Sequence, residues 1–187
     1  NKYFGGVIQS GDFGGEFDED LKATAKKAIE GFDKNISEYK MSDAIDCIMD
    51  LARRCNKYID ETMPWALAKD ETNKERLGTV LYNLLEAIRV ATTPLSCFMP
   101  TTMPKVWEQI GMTASDATYE NMGKWGVLPA NVTVKRGEVL FPRIDVEKEI
   151  EELGKNLKEL QTKRDELNEE LLNLKTSKNK TTDELER

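Results

Sequence analysis

A tryptophan directly after a proline, with cations and carboxylates close by, is the part of this sequence whose residue types can do chemistry. The stretch runs Asn56-Lys57-Tyr58-Ile59-Asp60-Glu61-Thr62-Met63-Pro64-Trp65. Pro64 lacks a backbone N–H and fixes its φ, so it ends one helix or starts the next. Trp65 then stands on the first turn after a helix–helix corner. Its indole either plugs the core there or lies at the rim as a platform for a flat ligand such as a base. Arg53, Arg54 and Lys57 suit the negative end of a helix dipole. Equally, they supply the positive charge that single-stranded nucleic acid requires beside a stacking ring. Asp60 and Glu61 form an acid pair or simply favour the start of the helix after Pro64. Asp43, Asp46 and Asp50 share one helix face, as a cation site or, more plainly, as a solvated surface.

Other chemistries are excluded. The 187 residues contain no histidine, which removes imidazole catalysis and histidine-held metals. Cys47, Cys55 and Cys97 are odd in number and lack CxxC spacing, so no zinc motif is present, a reducing cytosol fits, and small buried thiols are expected. No phosphate-cradling glycine loop occurs, and no cofactor or metal is implied. No apolar run nears the ~18–20 residues of a membrane span, and no signal peptide precedes the chain, so the placement expected is cytoplasmic. A net charge of −7 argues against a generally basic nucleic-acid binder but leaves room for a local site. The sequence starts without Met, in mid-pattern, as an excised piece does.

The elements that must position these residues read as helices. Asn1 to Phe4 resembles a helix tail capped by Gly5-Gly6, and residues 7–16 a loop. Phe17 to Tyr39 carries an apolar stripe of Leu21, Ala25, Ala28, Ile29, Phe32 and Ile36. Ser42 is expected to cap a second helix with Ala44, Ile45, Ile48, Met49, Leu51, Ala52 and Cys55 inward. After a short helix at Pro64, Thr72 to Thr93 reads as a central helix burying Leu77, Val80, Leu81, Leu84, Leu85, Ile88 and Ala91. Pro94 and Pro100 bracket a bend before a helix holding Trp107 in the core. Residues 111–143 predict a hairpin turning near Arg136-Gly137, or an extended wrap pinned by Trp125.

From Asp145 a heptad pattern takes over. Val146, Ile150, Leu153, Leu157, Leu160, Arg164, Leu167, Leu171, Leu174, Lys178, Thr181 and Leu185 form the seam of a coiled coil, about 64 Å long at 1.5 Å per residue. Gly154 is an off-seam blemish costing about 1 kcal/mol.

Asn1-Lys2-Tyr3-Phe4-Gly5-Gly6, Tyr58 through Trp65, Leu81 through Arg89, Phe98 through Pro104 and Leu140-Phe141-Pro142-Arg143-Ile144 occur in an order that resembles the anticodon-binding domain of methionyl-tRNA synthetases, over roughly residues 1–152. The resemblance implies a bundle that recognises the CAU anticodon of methionine tRNA. It implies that Trp65 stacks on the first anticodon base, with Pro64 shaping the corner and Asn56 and Asp60 at the same site; Lys57 joins them as a flanking cation. The family's other main anticodon contacts, an asparagine and an arginine, come from a helix before Asn1, so weak tRNA affinity is expected. The catalytic domain lies outside this sequence, so charging of tRNA is not expected.

These readings give an all-α chain. Residues 1–144 form an anticodon-binding-type bundle with a short hairpin or irregular extension, and 145–187 one long coiled-coil helix that self-associates or binds a partner helix. The segment from about 153 is native to the domain or joined from another protein. In the second case the bundle is a scaffold and the helix carries the biology.

Overall fold

The computed structural model describes residues 3–10 and 14–185, without the side chains of 177–185. The fold is all-α, with no β-strands among the described residues, and divides into two units, Asn1–Leu140 and Phe141–Arg187.

In the first unit, α1 (Asp18–Ser37) opens with Asp18, Glu19 and Asp20, which its dipole favours, and buries Leu21, Ala25, Ala28, Ile29 and Phe32 along one stripe. It packs on α2 (Met41–Thr62). The connection is tight: Tyr39 takes a positive φ of 60°, and Lys40 N–H donates to Asn35 O at 2.8 Å. This turn starts α2 at Met41, one residue before the expected cap, and Ser42 remains exposed without capping it. After α3 (Pro64–Leu67) comes a 3-10 turn, Glu71–Asn73, capped by Asp70, whose side chain accepts from Thr72 N–H at 2.9 Å.

The central helix is α4 (Lys74–Leu95), which packs against α1, α2, α3, α5 (Met103–Gln109) and α6 (Tyr119–Met122). Its buried residues differ from the apolar stripe. Leu81, Leu84 and Leu85 are half-buried and Ile88 is exposed, whereas Asn83, Glu86 and Arg89 are fully buried. The reason is backbone demand. Glu86 accepts N–H bonds from Gly126, Val127 and Leu128 at 2.8–3.0 Å, while Arg89 donates to Glu86, to Asn121 O and to Lys124 O. The loop after α6 thus finds on α4 the partners its buried polar groups require. Trp125 is half-buried against the same core. Trp107 lies in the core with its indole N–H on Thr92 Oγ1 at 3.1 Å.

No hairpin forms near Arg136-Gly137. The extended wrap occurs instead, because the N-terminal segment supplies the pairing. Ile8 N–H donates to Val132 O at 2.8 Å, Asn131 N–H to Ile8 O at 2.9 Å and Val134 N–H to Gly6 O at 2.8 Å, around one isolated Val7–Thr133 bridge. Gly111 makes the approach possible: its φ is +73°, and a Cβ there would lie 2.4 Å from Val132 Cγ1. Tyr3 precedes a single 3-10 turn, Phe4–Gly6, rather than the expected helix tail; Asn1 and Lys2 lie outside the described residues. Cys97 is exposed, not buried, because it falls in the turn after α4.

The second unit contains α7 (Val146–Leu185), which runs through Gly154 without interruption. Its seam residues Val146, Ile150, Leu153, Leu157, Leu160, Leu167, Leu171 and Leu174 are all exposed. Arg164 pairs with its neighbour Asp165 at 2.7 Å. The side chains at Lys178, Thr181 and Leu185 lie outside the described residues.

Candidate nucleic-acid interface

The C-terminal half of α2 has two faces. Leu51, Arg54, Tyr58 and Thr62 recur at three and four residues and are buried. Arg53, Asn56, Lys57 and Asp60 recur at the same spacing on the opposite side and are exposed. Ala52, expected inward, is exposed with this second set. The helical period of 3.6 makes the two sets mutually exclusive.

The buried face is held by a polar ladder. Tyr58 OH donates to Asp18 Oδ1 at 2.6 Å and accepts from Asn83 Nδ2 at 3.2 Å. Arg76 grips both Asp18 oxygens, at 2.6 and 2.7 Å. Burial pushes the Asp18 carboxyl up, but the hydrogen bonds from Arg76 and Tyr58 and the Arg76 charge outweigh it and hold the group below the usual carboxylate range. Burial pushes the Tyr58 hydroxyl up to about 12, with the Asp18 charge acting in the same direction. Sequence reading missed this ladder, although Tyr58 falls one heptad after Leu51 on the inward stripe.

Arg54 belongs to the ladder and not to the exposed face. Its side chain is 8% exposed, donates to Asp20 Oδ2 at 2.5 Å and to Phe17 O at 3.3 Å, and stacks over the Tyr58 ring. Its Nη1 lies 2.9 Å from Glu61 Oε2 as an ion pair, without the angle of a hydrogen bond. Glu61 therefore serves Arg54 rather than forming an acid pair with Asp60. Lys57 reaches Glu61 more loosely, at 3.5 Å, and Arg53 pairs with Asp50. Asp43, Asp46 and Asp50 are exposed, and no group of three or more possible metal ligands occurs among the described residues.

At the corner, Met63 takes the left-handed conformation, φ 44° and ψ 62°. Its N–H closes α2 on Ile59 O at 2.9 Å, and its carbonyl accepts from Ala66 and Leu67 to open α3. Pro64 occupies the first turn of α3, where its missing N–H is not needed. Leu67 packs on the core, while Trp65 is 49% exposed and stands outside the core cluster. The core-plug reading of Trp65 is therefore set aside. An exposed indole lies three residues beyond the end of a helix whose outer face carries an amide, an amine and a carboxylate.

The description "anticodon-binding domain of tRNA ligase" matches residues 18–183. The chain belongs to this anticodon-binding family. The matched span crosses residue 153. Similar proteins include the methionine–tRNA ligases of Caldanaerobacter subterraneus subsp. tengcongensis, 48% identical over 158 residues, and of Clostridium acetobutylicum, 48% identical over 162 residues. These alignments cover 84% and 87% of this chain and 25% of each relative, so the domain spans about a quarter of their length. The apo structure of Mycobacterium tuberculosis methionyl-tRNA synthetase matches with a TM-score of 0.69 at 24% identity, over 75% of this chain and 28% of that one. That likeness concerns the fold of the anticodon-binding domain. No helix among its described residues is long and apolar enough to cross a membrane.

Proposed function

We propose that the chain recognises the CAU anticodon loop of methionine tRNA, as the non-catalytic part of a methionine–tRNA ligase. The observation that carries this reading is the exposed Trp65 on a left-handed corner beside the outer face of α2. Stacking a base on an indole is worth about 1–3 kcal/mol and needs a ring held by its backbone with a face open to solvent. Pro64 and Met63 provide that backbone. The Asn56 amide offers both a donor and an acceptor to a base edge, and the Asp60 carboxylate accepts from an exocyclic amine of cytosine or adenine. A base that presents a carbonyl toward Asp60 is repelled. Lys57 supplies a cation for the loop phosphates.

The test is titration of a fluorescently labelled anticodon stem-loop, read by anisotropy. Trp65→Ala abolishes binding while the helical CD signal stays intact, and a stem-loop with a changed first anticodon base binds more weakly than CAU. Equal binding of both stem-loops by the unaltered chain, or unchanged binding by Trp65→Ala, refutes the reading.

A second reading concerns α7. We propose that it self-associates as a coiled coil, because a stripe of eight exposed aliphatic side chains on one helix is otherwise left in water. A monomer in sedimentation equilibrium at high concentration refutes this.

A further inference from the structure

The heptad of α7 contains two layers that conflict with one orientation of pairing. Val146, Leu153, Leu160, Leu167 and Leu174 occupy d positions; Ile150, Leu157, Arg164, Leu171 and Lys178 occupy a positions. A parallel, in-register pair stacks a against a. Arg164 would face the Arg164 of a second copy, and Lys178 the Lys178. Two like-charge layers within a partly desolvated seam are unfavourable.

An antiparallel pair stacks a against d instead. Placing Arg164 opposite Leu167 of the second copy sets Leu160 against Leu171, Leu157 against Leu174, Leu153 against Lys178 and Val146 against Leu185. Every seam residue then has a partner, and no cation faces a like charge. The Arg164 stem lies on leucine while its charged end reaches the rim. The same register brings Lys163 beside Glu170 of the second copy, and the two-fold axis makes this attraction twice. In a parallel pair Lys163 would meet only Asn168.

We propose that α7 pairs with the α7 of a second copy in antiparallel register, Arg164 opposite Leu167, selected by Arg164 and Lys178 and fixed by Lys163 with Glu170. This rests on the self-association proposed above and adds its orientation and register. The N-terminal ends of the two helices then lie about 59 Å apart along the axis, about 39 residues at 1.5 Å each.

The experiment uses the full chain carrying Leu153→Cys and Lys178→Cys. Labelled and unlabelled chains are mixed, oxidised, and their cross-linked peptides located by mass spectrometry. Linkage of position 153 in one chain to 178 in the other is the expected result. Linkage of 153 to 153 overturns the orientation and leaves self-association standing, whereas a monomeric unaltered chain in sedimentation overturns both. Separately, Lys163→Glu and Glu170→Lys each weaken the dimer about tenfold, and the two together restore it. A double variant as weak as the singles overturns the register.

Discussion

Tyr58→Phe removes one oxygen from the centre of the bundle and isolates what the polar ladder does. The lost hydroxyl donates at 2.6 Å to an ionised, buried Asp18 and accepts at 3.2 Å from Asn83. A hydrogen bond to a charged group is worth about 1.5–3 kcal/mol, and an orphaned buried donor costs about 1 kcal/mol or more. Arg76 keeps both Asp18 oxygens occupied, which limits the damage. The expected loss is about 2–3 kcal/mol at pH 7, a lowering of the urea midpoint by about 1–2 M. Tryptophan fluorescence is the right probe, since Trp65, Trp107 and Trp125 all lie in the first unit and α7 contributes nothing to it. The pH dependence sharpens the test. Asp18 has a folded pKa below its unfolded value, so its stabilisation is present above about pH 4 and is lost as pH falls further. Tyr58 has a folded pKa of about 12, above its unfolded value, so its stabilisation is present below about pH 10 and is lost as pH rises toward 12. The stability gap between the two proteins should be widest between these limits and narrow on both sides. A gap under about 0.5 kcal/mol at pH 7, or one that does not change with pH, refutes the ladder as the support of α2.

Other substitutions probe the remaining supports. Glu86→Gln leaves the buried Arg89 guanidinium without its counter-charge and aims an NH2 group at backbone donors; urea unfolding should show a loss of about 3–5 kcal/mol, with trypsin cleavage at Lys124 accelerated. Gly111→Ala combines a positive φ with a 2.4 Å approach to Val132 and should cost about 2–4 kcal/mol in the same assay. Trp65→Ala, by contrast, should change stability by less than about 1 kcal/mol, because the indole lies outside the core. In an Ellman titration of the folded protein at pH 8, Cys97 should react first and Cys55 slowest, since burial pushes the Cys55 thiol up to about 11.

What was legible in the sequence follows from period and what was not follows from partners. The stripe of α1 and the heptad of α7 are properties of one segment and could be read from spacing alone. The stretch from Tyr58 to Trp65 was recognisable as a corner because Pro64 acts locally. The role of Arg54 stays open in the sequence because a basic residue near a helix end satisfies the dipole whether it faces solvent or, as here, Asp20, Phe17 and Glu61. Glu86 and Arg89 were passed over because nothing in α4 announces that residues 121–128 will need their hydrogen bonds. Of the hairpin and the extended wrap that the sequence allows near Arg136, the wrap forms for a similar reason: the partner of the strand-like residues is Gly6 to Ile8, more than a hundred residues away in sequence. Exposure separates Trp65 from Trp107; residue type does not.

The alternation on α2 has an evolutionary consequence. Folding is answered for by Leu51, Arg54, Tyr58 and Thr62, while Arg53, Asn56, Lys57 and Asp60 project from the same turns without taking part in it. One face can therefore be rewritten residue by residue while the other keeps the helix in place. Under the proposed reading of that outer face, a change of preferred nucleotide sequence is open to single substitutions there, each tolerated by the scaffold from the outset.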